Sequence, residues 1–378
     1  MYNIAQDSDK EEIKALWAYA FNEQEPFLSS YFECFYNPSN VLAVKTCGKL
    51  SSSLQMIPYS ICVRGKMFSS SYVAWVCVAP EQRGKKLSTA LMKECLLLQK
   101  ERKEAFSLLI PFNYEFYKKL GYRLCYSLSL YELKSENIPS FETTHTICEM
   151  SEKDADKLNS VYTEFAKDKN GYNLRKPIDW KYIFFEHKLF GGHIFASCKD
   201  GNVTGYVSCL EAEKEVFVRE FVYTEGDSLY SLLAFIKSHF LSKETIKIRT
   251  ANDGILFSLL KEPKNILKIQ PTVMARITNV ESALTCSDID NLKIKVLDEL
   301  IEENSGVYEK INGKIIKTQN KNFDATIDIG SLTQFVLGFS SAKELLLKGQ
   351  LLANDETIEK LERIFPKQNN YINHIMEE

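Results

Sequence analysis

Residues Val73 to Met92, VAWVCVAPEQRGKKLSTALM, constrain the fold of this 378-residue chain more tightly than any other stretch. Val73 to Ala79 is unbroken apolar sequence stopped by Pro80, which reads as a buried strand. Leu87, Ala90, Leu91, Cys95 and Leu98 then recur on one face of a helix. Between the two lie Gln82, Arg83, Gly84, Lys85 and Lys86. The unpaired amides and positive dipole end of a helix favour an anion, and three cationic side chains add to both, so a pyrophosphate suits the turn. A basic turn also serves simply to keep a strand-to-helix junction solvated, and the motif alone leaves both readings open.

Downstream, Phe106 to Ile110 reads as a second buried strand and Pro111, Phe112, Asn113 as a loop. Tyr114 to Leu120 forms a short helix ended by Gly121. Tyr122 to Leu133 reads as one closing strand, with Leu124, Tyr126, Leu128 and Leu130 alternating against Arg123, Cys125, Ser127 and Ser129. This order of elements resembles the GNAT superfamily of acyl-CoA-dependent N-acetyltransferases. The signature R-x-x-G-x-G/A falls on Arg83 to Ser88, with Lys86 where the family usually has glycine and Ser88 where it has glycine or alanine. Glycine allows close approach to a pyrophosphate, so Lys86 has either to reach similar dihedrals or to shift the cofactor.

Composition sets outer bounds. The length exceeds what one core usually serves, so two or three domains are expected. A net charge of −3 argues against duplex nucleic acid as a main partner. No apolar run approaches the roughly 20 residues that span a bilayer, and the start MYNIAQDSDKEE is polar and acidic, which suggests no membrane role and a cytoplasmic chain. Cys62, Cys77, Cys125, Cys198 and Cys209 sit singly in strand-like segments, and no CxxC pair or metal-ligand histidine spacing appears, so neither disulfides nor a metal site are expected.

An internal repeat is visible. Ser8-Asp9-Lys10-Glu11 and Ser151-Glu152-Lys153-Asp154 both read as capping boxes that open amphipathic helices. Trp75-Val76-Cys77-Val78 is echoed by Glu220-Phe221-Val222-Tyr223, and the turn after the echo, Thr224-Glu225-Gly226-Asp227-Ser228, carries acids that would repel a pyrophosphate. The second copy is therefore expected to keep the fold and to have lost the cofactor. After the linker Thr285 to Asp290, a third unit has short strands around the Asn312-Gly313 turn, followed by two short helices. Its LGFSSAKELLLKGQLLA resembles the sterol-carrier-protein-like lobe that ends one GNAT subgroup, the enhanced intracellular survival (Eis) acetyltransferases.

The resemblance implies an α/β (α+β) fold with three domains: a catalytic GNAT domain over residues 1–134, a degenerate GNAT domain over 135–284, and a sterol-carrier-protein-like α+β domain over 285–378. It implies acetyl-CoA as co-substrate, held along Val76, Cys77 and Val78, at the turn Arg83, Gly84, Lys85, Lys86, Leu87 and Ser88, and at Asn113. It further implies Tyr117 as the general acid that protonates the leaving thiolate. The plain alternative for Tyr117 is aromatic packing, and Tyr114 and Tyr122 lie nearby. In the subgroup the terminal carboxylate acts as base, which carries over to Glu378, although this chain runs on past Phe365-Pro366 and its last residues also read as a solvated tail. Glu23 and Glu25 fall where the family opens its acceptor pocket, and there they would favour a polycationic amine such as an aminoglycoside or polyamine; two acids on a solvated loop is the plainer reading. A homo-oligomer, trimer or hexamer, is implied as well. A non-catalytic acyl-CoA- or lipid-binding regulatory protein is the competing reading.

Overall fold

A computed structural model describes residues 2–23 and 25–373. The chain divides into two compact units. One holds the residues up to Cys125 together with Val273–Gln368, and the other holds Tyr126–Thr272 together with the segment beginning at Asn369. Among the described residues no helix is long and apolar enough to cross a membrane.

The first unit is built on a mixed sheet with strand order Tyr2–Ile4, Val41–Thr46, Lys49–Val63, Lys66–Val78, Phe106–Leu109, Met274–Ile277, Arg123–Leu124. Neighbours run antiparallel except Lys66–Val78 and Phe106–Leu109, which are parallel and therefore need a crossover, supplied by the helix Leu87–Glu101. Strand alternation separates two apolar layers. Leu54, Met56 and Val73 pack with Leu91, Met92, Cys95 and Leu96 of the crossover helix. On the opposite face Trp17, from the helix Lys10–Phe21, donates its Nε1 hydrogen to Ser53 Oγ at 2.9 Å, and Tyr31, from Phe27–Cys34, donates to Gln55 Oε1 at 2.6 Å.

A second sheet in this unit runs Lys314–Thr318, Gly306–Ile311, Ile294–Leu297, Ala325–Asp328, Leu351–Ala353. The hairpin turn read at Asn312-Gly313 is present, with φ of +51° and +77° at the two residues. The helix Ile329–Val336 is buried along its whole length and docks on the first sheet, where Thr333 Oγ1 accepts from the Ile277 amide at 3.0 Å.

The second unit repeats the pattern. Its strands run Leu267–Pro271, Ser127–Leu133, Thr245–Thr250, Glu215–Tyr223, Asn202–Glu211, Gly192–Lys199, Thr146–Glu149, and again a single pair, Glu215–Tyr223 with Thr245–Thr250, is parallel. The expected single strand from Tyr122 to Leu133 is two strands in different sheets, Arg123–Leu124 in the first unit and Ser127–Leu133 in the second. Met274–Ile277, from beyond the second repeat, takes the place beside Phe106–Leu109. Side-chain alternation runs through Cys125 and Tyr126 unchanged, so the pattern gives no sign of a change of sheet. The cap read at Ser151 is present with Asp154, whereas the first helix is capped two residues earlier than read, by Gln6 with Asp9.

Candidate active site

The strand Lys66–Val78 carries one extra residue against its neighbour: Ser53 pairs with Cys77, yet Gln55 pairs with Ala74. The resulting bulge centres on Trp75, whose φ is +57°. An aromatic residue in this region costs roughly 1–2 kcal/mol, so packing must hold it there. That packing is an aromatic cage: the Trp17 ring stacks on Trp75 at 5.0 Å, Phe21 meets it edge-on at 5.0 Å, and Tyr31 lies at 5.5 Å.

On its other side the strand pairs with Phe106–Leu109 only from Ser70 to Tyr72. Beyond Tyr72 the two strands part, which leaves an open edge at Val76 and Val78. Such an edge accepts an extended amide-bearing chain as an added strand. Beside it lies a cavity of about 500 Å³. Of the residues read from sequence, Val76, Cys77, Val78, Arg83 and Ser88 line it. Four more were not found by that reading: Ala20, Phe21, Phe112 and Phe116. Phe112, with 72% of its surface exposed, had a legible signal in being a large apolar side chain in a polar loop.

Past the strand, Pro80–Gln82 forms one 3-10 turn, Arg83 is extended, and Gly84 and Lys86 both take left-handed backbone, with φ of +77° and +59°. Lys86 thus reaches the dihedrals that glycine would supply, and its carbonyl accepts from the Ala90 amide to open the helix Leu87–Glu101. Left-handed residues at a helix start turn neighbouring amides toward one point, a concavity suited to phosphate oxygens. Lys85 leans back on the turn, donating to Gln82 Oε1 at 2.8 Å. Asn113 caps the helix Tyr114–Lys119, its Oδ1 accepting from the Phe116 amide at 3.0 Å.

Tyr117 sits in the middle of that helix, 2% exposed, with its ring against Phe116 at 5.0 Å, Phe112 at 5.5 Å and Tyr122 at 5.9 Å. Two of these neighbours, Phe112 and Phe116, are themselves walls of the cavity. Tyr122 is engaged elsewhere: its hydroxyl and Ser107 Oγ lie 2.6 Å apart in the core, and burial raises its pKa well above the ordinary phenol value. Burial also raises Tyr114.

The two acceptor-side acids differ. Glu23 is half-buried, and desolvation raises its carboxyl above the usual range. Glu25 is exposed and bound locally, accepting from the Ser29 hydroxyl and amide and lying 3.4 Å from Lys14, interactions led by the Ser29 hydroxyl that hold it below the usual range. Glu378 lies outside the described residues.

The equivalent place in the second unit is chemically different. Glu215–Tyr223 also bulges, between the Ser208–Glu220 and Cys209–Val218 pairs, but the turn that follows has no left-handed residue, and an acid, Glu225, stands at the N-cap position of the helix Gly226–His239. Glu164, Asp168 and Glu225 line the nearby cavity of about 260 Å³ with a single cation, Lys169, a balance that opposes a pyrophosphate. Beside that bulge Glu220 is fully buried and paired with Arg175 at 2.6 Å; Tyr206 and Tyr371 also donate to its carboxylate.

Residues 2–125 match an acetyltransferase (GNAT) domain, residues 171–277 match a second, and residues 280–373 match a sterol carrier protein domain. No curated protein sequence matches the chain. Among solved structures, a GCN5-related N-acetyltransferase from Anabaena variabilis ATCC 29413 superposes with a TM-score of 0.87 at 21% identity, over 98% of each chain. A conserved protein of unknown function from Enterococcus faecalis V583 does so with 0.88 at 24% identity, again over 98% of each. Eis1 from Mycobacterium abscessus gives 0.82 at 17% identity over 100% of each chain. At these identities the likeness is one of fold.

Proposed function

Because this chain belongs to the GNAT acetyltransferases, with two GNAT domains and a sterol carrier protein domain, we propose that its first domain transfers the acetyl group of acetyl-CoA to a primary amine on an aminoglycoside-like or polyamine-type polycation. One observation carries the proposal: the open strand edge at Val76 and Val78, the 500 Å³ cavity beside it and the left-handed turn at Gly84 and Lys86 are contiguous. A pantetheine arm needs the first two and a pyrophosphate the third.

In this reading the amine attacks the thioester carbon, the carbon–sulfur bond breaks, and the thiolate takes a proton as the amide forms. Tyr117 gives that proton. An alkyl ammonium has a pKa near 10.4 and must lose a proton before or during attack, a role this reading assigns to Glu378. Glu23 draws the cationic acceptor. Holding thioester and amine together supplies much of the acceleration by itself.

A lipid-binding role for the third domain finds less support. Its most apolar helix, Ile329–Val336, is committed along its whole length to the protein core, as the Thr333 contact with Ile277 illustrates.

The test is release of free CoA thiol from acetyl-CoA across a panel of aminoglycosides, polyamines and short peptides. Amine-dependent release that drops at least a hundredfold in Tyr117→Phe supports the assignment. Tight binding of acetyl-CoA with no release for any amine would hand the chain to the regulatory reading.

A further inference from the structure

We propose that the sterol carrier protein domain takes part in the reaction through Asp298, which holds Arg276 against the end of the helix that carries Tyr117. The inference rests on Tyr117 acting as the acid in the reading above. It concerns residues outside the cavity and outside the cofactor turn.

The helix Tyr114–Lys119 is too short to be stable by itself, so its position depends on what grips its ends. Asn113 grips the first end. At the other, the Leu120 carbonyl accepts a hydrogen bond of 2.5 Å from Nη1 of Arg276, a residue of the strand Met274–Ile277. A guanidinium at a helix C-terminus both fills an orphan acceptor and complements the dipole. The chain makes room for it at Gly121, where a Cβ would lie 1.7 Å from the same nitrogen.

Arg276 is fully buried and its other terminal nitrogen, Nη2, is held by both oxygens of Asp298, at 2.8 and 2.7 Å. Asp298 follows the strand Ile294–Leu297, and its carboxylate also accepts from the amides of Leu300 and Ile301 and from Asn304 Nδ2, each at 3.0 Å. The anion is therefore locked to its own domain. The chain of contacts runs from that domain's loop through Asp298, Arg276 and the Leu120 carbonyl to a helix of under two turns with Tyr117 at its middle. Two features indicate a positioning role beyond plain cohesion. Apolar side chains would join these surfaces at no desolvation cost, and the contact falls on the one helix whose placement sets where a proton is delivered.

Asp298 and Arg276 are positioning residues, and displacement of a reacting group by about 1 Å costs on the order of a hundredfold in rate. Asp298→Asn is expected to lower kcat at least tenfold while the KM for acetyl-CoA stays within twofold, because the cofactor turn is untouched. Arg276→Lys keeps a cation opposite Asp298 but gives up the two-sided reach, and it replaces the first variant where that one fails to fold. The deciding measurement is the double-mutant cycle with Tyr117→Phe. If Asp298 acts through Tyr117, the double variant is no slower than Tyr117→Phe alone. Losses that multiply, or a folded Asp298→Asn with kcat within twofold of the parent, overturn the inference and leave the acetyltransferase reading standing.

Hydrogen exchange supplies a readout independent of turnover. The amides of Leu120, Gly121 and Tyr122, which donate to the Tyr117 and Lys118 carbonyls, are expected to exchange at least tenfold faster in Asp298→Asn, with the helix Leu87–Glu101 unchanged. Unaltered exchange at those three amides overturns the inference even in a protein that shows no turnover, which would itself count against the acetyltransferase reading.

Discussion

The indole rings of Trp17 and Trp75 stack with centroids 5.0 Å apart and planes 5° from parallel. Trp75 is the residue that bends the open strand, and Trp17 is tied to the neighbouring strand through Ser53, so the stack clamps the bulge from outside the cavity. Trp17→Leu is expected to destabilise the first unit by about 2–4 kcal/mol, through lost volume and the lost hydrogen bond to Ser53. It should also raise the KM for acetyl-CoA, because Trp75 is freed to leave left-handed backbone and close the edge at Val76. Denaturant unfolding and KM measured on the same variant check this; lowered stability with an unchanged KM would separate the stack from the cofactor edge.

Lys86 adopts a φ of +59° that glycine takes without strain. Lys86→Gly relieves that strain but gains freedom in the unfolded chain, for a net stabilisation of roughly 0.5–1 kcal/mol. Lys86→Ala keeps the strain and loses only the charge. Both variants should bind acetyl-CoA more weakly, by similar and salt-sensitive factors, while only the glycine variant melts later. Equal melting temperatures for the two would show that the left-handed turn carries no cost.

The parts of this molecule written in local pattern could be read from its sequence. The basic turn at Arg83 to Lys86 lies between strand and helix as its residues suggest, Asn312-Gly313 makes its hairpin, and the repeat announced by Ser151 and the echo of Trp75 appears as a second mixed sheet. What escaped has a common cause: it depends on which distant segment pairs with which. Alternation places Leu128 and Leu130 on one face but is silent on whether that face belongs to the first or second sheet. The run VAWVCVA conceals the bulge, since Trp75 looks like any apolar strand residue. Ala20, Phe21, Phe112 and Phe116 reach one cavity from two elements far apart in sequence. Arg276 left the clearest unused signal, a lone cation inside VMARIT, because a charge within a buried strand must have a buried partner.

In the second unit, burial pushes the His187 imidazole down to about 4. Its Nδ1 lies 2.6 Å from the Ile183 carbonyl and its Nε2 2.9 Å from Ser208 Oγ. The ordinary value is about 6.5, so between those two pH values the unfolded chain binds a proton that the folded chain does not. The stabilisation is complete above about pH 6.5, declines as pH falls through that window and levels off below it, for up to about 3 kcal/mol. His187→Gln has no such group to titrate. The stability gap between the parent and this variant should therefore narrow from pH 7 to pH 5 in denaturant titrations, and a gap that stays constant would mean His187 titrates alike in both states.

Glu23 and Glu25 are two residues apart and alike in charge, yet they are expected to behave differently. Glu25 already spends its charge on Ser29 and Lys14 at the start of the helix Phe27–Cys34, so Glu25→Gln should loosen that helix and leave acceptor binding unchanged. Glu23 is half-buried with burial raising its pKa, the condition in which an arriving ammonium gains most by holding the carboxylate charged. On the proposed reading, Glu23→Gln raises the KM for a polyamine three- to tenfold, roughly 1 kcal/mol, and leaves the KM for acetyl-CoA alone. The effect should fade as salt is raised from 0.05 to about 0.5 M, because a partly exposed pair is screened. Equal losses in the two variants would point to a general acidic field at the mouth of the site, and no loss in either would move the acceptor to another wall of the cavity. A salt-dependent loss confined to Glu23 would identify the acceptor as a cation and fix the side from which it enters.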